Sequence, residues 1–300
     1  MQLNPKNDGI MSGRLALLVA ILLLGATLAL SDHIVVMIIG ILLMGSMFAH
    51  AVELQHQCIH YSAFKQRSLN RLIGIALGLP TLTSFTAYRK SHMEHHRRLG
   101  TKADTPFFNY RSLSDPSILN IAYDLFGISH FTTSFRAIFA IGDAGISTKR
   151  QLAEGERFEY GLMGFLIAVA ALGTMYLGVS PVLRLWLIPA ILVAQPLHFL
   201  IELPEHVGCV QDTTDVLRNT RTIVGSRFSR WFTNGNNFHV EHHLEPAVPM
   251  QELSRVFDRL SGRHRFITTT YWQFYNGILR NLMAWEPARC LPTDQHRRTV

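Results

Sequence analysis

Four long apolar runs, arranged as two close pairs, set the terms on which this 300-residue chain can fold. Leu15 to Leu30 and Ile34 to Ala51 are separated only by Ser31-Asp32-His33, and Tyr160 to Val179 and Val182 to Leu203 only by Ser180-Pro181. A helix needs about 20 apolar residues to cross a bilayer, so each run is a span completed at its ends by interfacial residues. Charged residues make up 16 % of the chain, where a soluble domain carries nearer a quarter. The expected fold is therefore an all-α integral membrane protein of two transmembrane helical hairpins, with about four spans at 15–30, 34–51, 160–179 and 182–203. A single domain, 1–300, is expected, in which 52–158 and 204–300 form a cap outside the bilayer. Ala29-Leu30-Ser31 would pass for a leader-peptide cleavage site, but a second apolar run follows at once, which favours a hairpin.

The charge pattern orients these spans. Lys65, Arg67, Arg71, Arg89, Lys90, Arg97, Arg98 and Lys102 follow the first hairpin, whereas its short loop has no basic residue except His33. Positive charge stays on the inner side, which places the N-terminus and the cap in the cytoplasm, as in a multi-pass protein of a bacterial inner membrane. The formal charge of +7 comes with no aromatic-interleaved basic platform, so nucleic-acid binding is not indicated. Three scattered cysteines, Cys58, Cys209 and Cys290, make neither a disulfide framework nor an iron–sulfur set. Leu72 to Ala87, broken by Gly74, Gly78 and Pro80, reads as a buried or re-entrant piece. Ile118 to Ile141 reads as a pair of amphipathic surface helices.

Chemistry enters with the histidines. S-H-M-E-H-H carries His92, His95 and His96, and N-F-H-V-E-H-H carries His239, His242 and His243. Three and four residues apart on a helix is the same face, so each H-x-x-H-H presents three imidazoles over roughly a third of the circumference. One such pattern is expected by chance about 0.04 times in this length, so two copies are not a product of composition. His56 and His60 stand at i, i+4 after the first hairpin, and His206 ends the second. Nine imidazoles are too many for one metal and suit two. Nitrogen ligation points to Fe, Cu, Ni or Zn rather than Mg or Ca. His198, Glu202 and His206 follow one another at i, i+4, i+8, as a stripe facing the substrate or supporting the metals. Asp104, Asp212, Asp215, Asn219, Asn236 and Asn237 are placed to accept imidazole N–H bonds, or to serve as caps and turns. His33, His50, His130, His264 and His296 read as surface or interfacial, and Cys58 and Cys209 as packing residues.

The chain resembles the integral-membrane fatty acid desaturase and hydroxylase superfamily. H-Q-C-I-H-Y-S-A-F resembles the first of that family's three histidine boxes, with Gln57 where an acidic residue is usual. S-H-M-E-H-H-R-R-L-G resembles the second, and N-F-H-V-E-H-H-L-E-P-A-V-P the third, with Glu245 where an aromatic is usual. His206 matches an isolated ligand position, and the resemblance covers roughly 15 to 260. It implies a centre of two Fe ions held by His56, His60, His92, His95, His96, His206, His239, His242 and His243, with O2 as co-substrate. The implied reaction is introduction of a C=C bond into a lipid or fatty acyl chain; hydroxylation, acetylene formation and oxidative decarboxylation are its relatives on one scaffold. Some members use a non-histidine residue four before the isolated histidine to assist the second iron through water. That position here is Glu202, which makes Glu202 and His198 the candidate catalytic residues beyond the ligands. Asp104, Asp212, Asp215 and Asn236 are the candidate supports behind the imidazoles.

Two readings from other classes compete. A zinc-dependent lipid hydrolase needs three or four ligands, not nine. A metal transporter wants ionisable residues spread through its spans, and here they gather at one end. No flavin, nicotinamide, cytochrome b5-like or iron–sulfur pattern is visible, so a separate electron donor of ferredoxin, rubredoxin or cytochrome b5 type is implied.

Overall fold

The computed structural model describes residues 5–104, 106–108, 110, 117–139, 152–260 and 262–283. Ile141 of the expected surface-helix pair, Cys290 and His296 lie outside the described residues. The chain divides into two compact units, Met1–Met93 with Pro106–Leu200, and Glu94–Thr105 with Ile201–Val300.

The first unit holds the apolar runs. Helices α1 (Pro5–Ala29) and α2 (Ile34–Ile59) form a hairpin. Further on lie α3 (Arg67–Gly78), α4 (Phe85–Arg98), α5 (Ile118–Leu125), α6 (Ile128–Ile138) and α7 (Glu154–Leu177). A last continuous helix, α8, runs Val179–His206 and is wound as π-helix over Leu183–Leu187 and Pro189–Ala194. Among the described residues four helices, α1, α2, α7 and α8, are long and apolar enough to cross a membrane. Each outruns the apolar run read from the sequence. Helix α2 continues for two further turns because its polar residues there, Glu53, Gln55, His56 and Gln57, are buried against protein rather than set in lipid.

Helix α2 is the inner member of its pair: half of its most apolar window is buried, against 17 % for α1. Leu17, Leu23, Leu24, Val35, Ile38 and Leu42 stay exposed, as a lipid-facing surface requires. Small residues permit the close approaches. A Cβ on Gly40 would strike the backbone of Ala29, and one on Gly45 would strike Val193 and the carbonyl of Pro189. The apolar piece Leu72 to Ala87 is two helices meeting at a turn over Leu79–Thr81, after which Leu82 takes a left-handed φ of 55°. Glu159 of α7 secures the start of α4. Its carboxylate accepts from Ser84 Oγ at 2.6 Å, the Thr86 amide at 2.9 Å and Thr86 Oγ1 at 2.6 Å, which meets donors that a first helical turn leaves open.

The second unit is built from short pieces: α9 (Val216–Asn219), α10 (Arg227–Phe232), α11 (His239–Leu244), α12 (Leu253–Arg259) and α13 (Tyr271–Met283). A two-stranded parallel pairing joins β1 (Thr222–Ile223) to β2 (Ile267–Thr268). Its core is Phe238, Val248, Met250, Leu253 and Val256, with Phe257 and Leu260 packed against it.

Candidate metal centre

Helix α2 delivers His56 and His60 one turn apart, and α4 delivers His92 to them. Nε2 of His56 and Nε2 of His92 are 2.7 Å apart, and the His60 ring centre is 4.9 Å from that of His92. Tyr88, one turn earlier on α4, packs on both His56 and His92, and on Phe107 and Phe108. Phe108 in turn lies 4.4 Å, ring to ring, from His198. An unbroken bed of aromatic rings thus runs from the His56–His60–His92 trio to His198.

A second group is a tetrad. His95, His206, His239 and His243 each offer a ring nitrogen, all within 4.8 Å of one another. The outer nitrogens of three of them are engaged. Nδ1 of His95 donates to Asp104 at 2.9 Å, Nδ1 of His206 to the Asn219 carbonyl at 3.1 Å, and Nδ1 of His239 to Asn236 Oδ1 at 3.1 Å. With its proton on Nδ1, each neutral ring keeps the Nε2 lone pair for the centre of the group. Nε2 of His206 is buried and has no hydrogen-bond partner among the described residues. A bare buried acceptor is costly unless a cation answers it, so the tetrad fits a metal ion.

His96 and His242 form a further contact, Nε2 to Nε2 at 3.1 Å, and the His96 ring lies 4.2 Å from that of His243. Burial first, then the neighbouring His242, His95 and His206, push His96 down to about 2. His243 is held well below its ordinary value by burial and by the rings around it. Both are therefore neutral at ordinary pH, the form that binds metals.

Each H-x-x-H-H is thus shared out rather than kept together. On α4, His92 turns to the trio and His95 to the tetrad. On α11, His239 and His243 enter the tetrad and His242 does not.

The support behind the rings is only partly the expected one. Asp104 and Asn236 bond histidines as described. Asp215 instead caps α9 by accepting from the Leu217 amide, and Asp212 is an exposed turn residue with φ 55°. Asn219 contributes through its backbone carbonyl, because its side chain is tied to the Thr213 carbonyl at 2.7 Å. His198 lies buried, 3.9 Å from the Glu53 carboxylate, and Glu202 is half-buried one turn before His206. His50 and His264, expected at the surface, are buried, and His130 is half-buried with Nε2 on the Thr81 carbonyl at 2.8 Å. His264 faces Glu241 and His130 faces the Thr81 carbonyl, partners distant in sequence that a local pattern does not reveal. Glu245 is half-buried and pairs with Arg259 at 2.8 Å.

Three features escape a reading of the sequence alone. Glu205 sits with Oε2 3.1 Å from Nε2 of His239; its only signal was adjacency to His206 in E-L-P-E-H. Glu241 lies on the back of α11, where Thr222 Oγ1 donates to it at 2.7 Å and His264 contacts its other oxygen. Arg221 closes the end of α8 by donating to the carbonyls of Pro204 and Val207, while its own amide donates to the Glu205 carbonyl at 2.8 Å. The guanidinium stacks 4.7 Å from Phe274.

With this geometry in view, the fatty acid desaturase family matches residues 32–275 of the chain. Dihydrorhizobitoxine desaturase of Bradyrhizobium elkanii is 26 % identical over 235 residues, 73 % of this chain and 66 % of that protein. Acyl-lipid (9-3)-desaturase of Physcomitrium patens is 43 % identical over 42 residues, 14 % of this chain and 8 % of that protein. The match therefore spans just under two thirds of the first relative's length and less than a tenth of the second's.

Proposed function

This chain belongs to the fatty acid desaturase family, and from that premise we propose that it is an O2-dependent membrane oxidoreductase that introduces a C=C bond into the alkyl chain of a lipid or fatty acyl substrate. The observation that carries the reading is the tetrad: three of its four rings, His95, His206 and His239, have their outer nitrogens engaged and keep a lone pair for the centre of the group. Two Fe ions, held by the nine histidines named above, would supply the oxidising power to take hydrogen from an unactivated C–H bond. The chain's own residues do the rest. Asp104, Asn236 and the Asn219 carbonyl orient their rings and fix the protons on Nδ1. Tyr88, Phe107 and Phe108 offer an alkyl chain an apolar surface that runs up to His56 and His92. His198 and Glu202 lie along the helix that ends in His206, beside the path of the substrate.

The N-terminus and the metal centre lie on the cytoplasmic side of a bacterial inner membrane, on the strength of the basic segment after α2. Electrons come from a separate ferredoxin, rubredoxin or cytochrome b5-type protein.

Expression in cells lacking such enzymes, followed by mass spectrometry of lipids and volatiles, tests the reading, with His243→Ala as the inactive control. A product two hydrogens lighter at unchanged carbon number is expected. An alcohol, or a chain one carbon shorter, assigns another reaction to the same scaffold.

A further inference from the structure

The tetrad has a fifth neighbour that is not a histidine. Glu205 Oε2 lies 3.1 Å from Nε2 of His239, and Nε2 of His243 is also 3.1 Å from that same nitrogen. The Glu205 side chain is only 12 % exposed and that of His239 3 %, so solvent does little to soften what these atoms do to one another.

Asn236 decides where the proton on His239 sits. Its amide nitrogen donates to Glu205 Oε1 at 2.9 Å, and a carboxylate can only accept, so the orientation of the amide is fixed. Asn236 Oδ1 then faces Nδ1 of His239 at 3.1 Å, and an amide oxygen can only accept. Nδ1 therefore carries the hydrogen of the neutral ring, and Nε2 presents a lone pair. That lone pair points at a carboxylate oxygen and at a second imidazole nitrogen, both at 3.1 Å. Glu205 Oε2 and Nε2 of His239, two acceptors so close, repel one another unless a positive charge lies beside them, whichever nitrogen of His243 carries its hydrogen. The separation is right for such a charge: ligands with bonds of about 2.1 Å to one ion sit about 3.0 Å apart at a right angle and about 3.4 Å at a tetrahedral one.

We infer that Glu205 is a metal ligand, contributing one carboxylate oxygen to the ion held by His95, His206, His239 and His243. The inference rests on the proposed function only for the identity of the ion. Asn236 acts as a clamp that sets the ligand atom of Glu205 and of His239 together. The backbone of Glu205 is fixed independently, by the Arg221 amide on its carbonyl. An anionic oxygen makes this ion's surroundings harder than imidazole alone, and its charge offsets one of the positive charges brought into a buried site. The neighbouring phenol of Tyr275 feels the same anion: burial, then the Glu205 charge, push it up.

The test uses the full chain in detergent micelles and cobalt(II) as the probe, with visible absorption reporting the ligand field. Wild type and Glu205→Gln are titrated side by side, and thermal unfolding of the metal-free proteins checks that both fold alike. Glu205→Asp serves as a second variant that keeps the charge. The expected result is a loss of at least ~10-fold in affinity for one cobalt ion in Glu205→Gln, with altered bands, partial recovery in Glu205→Asp and unchanged metal-free melting. Equal affinity and bands in wild type and Glu205→Gln overturn the inference, and so does a wild type that binds no cobalt. A Glu205-dependent cobalt site in a protein that leaves the lipid profile of its host unchanged upholds the inference and removes the desaturase reading instead.

Discussion

Asp104 Oδ1 lies 2.9 Å from Nδ1 of His95, with Oδ2 at 3.1 Å. The carboxylate accepts from the ring's Nδ1–H and sets its rotation, so Nε2 enters the tetrad already aligned. Replacing Asp104 by Ala is expected to weaken metal binding by about 10–100-fold, with a smaller loss for Asp104→Asn, whose oxygen still accepts. Ferrous ion titration under anaerobic conditions measures this; equal affinities in all three proteins contradict it.

On α11 the Glu241 carboxylate is fully buried, and His239 and His243, two residues before and after it, lie on the opposite side of the helix. Thr222→Val leaves one carboxylate oxygen without its donor and is expected to cost about 1–3 kcal/mol. His264→Leu strands the charge itself and is expected to cost about 3–5 kcal/mol. The order of the melting temperatures, wild type above Thr222→Val above His264→Leu, is the check.

At the other end of the histidine-bearing helix α4, Glu159 accepts three hydrogen bonds. Glu159→Ala is expected to open the first turn of that helix. Hydrogen exchange across residues 84–88 reads it directly and should accelerate several-fold more than exchange in α13, which has no bond to Glu159.

Acid is expected to destabilise the metal-free protein. His96 and His243 are held far below 6.5 when folded, and they regain that value when unfolded. Below pH 6.5 the unfolded chain therefore binds protons that the folded chain refuses, and stability falls as pH drops toward the folded values. Above pH 6.5 both states are neutral at these rings and the term vanishes. Melting temperatures of the metal-free protein between about pH 7 and 5 test this, and a flat profile contradicts it.

The paired apolar runs identified the hairpins, because lipid leaves a chain no choice but helix. They did not give the helix ends. Helix α2 runs on to Ile59 because Glu53, Gln55 and Gln57 find partners inside the protein, such as the Gly74 and Thr83 carbonyls on Gln55. The histidines were legible as ligands from spacing, but spacing treats a triplet as one face. His92 and His95, three residues apart, differ by about 60° around the helix and about 4.5 Å along it, which suffices to send them to different groups. Glu205 and Glu241 were hidden because an acidic residue in a helix usually means a solvated surface. Only the long-range partners Asn236, Thr222 and His264 mark these two as drawn in against protein.

The order of the ligands along the chain also fixes an order in time. Everything in the trio has been synthesised once His92 is made, whereas the tetrad waits for His243. At ordinary rates of synthesis the delay is on the order of ten seconds. During that interval both members of the first hairpin are already complete, and His95 and then His206 exist without their partners. The tetrad is the last group of rings that can close, so an ion bound there would enter a nearly finished protein. A chain truncated before α11 would keep its membrane anchor and its first three imidazoles and still lack the means to hold that ion.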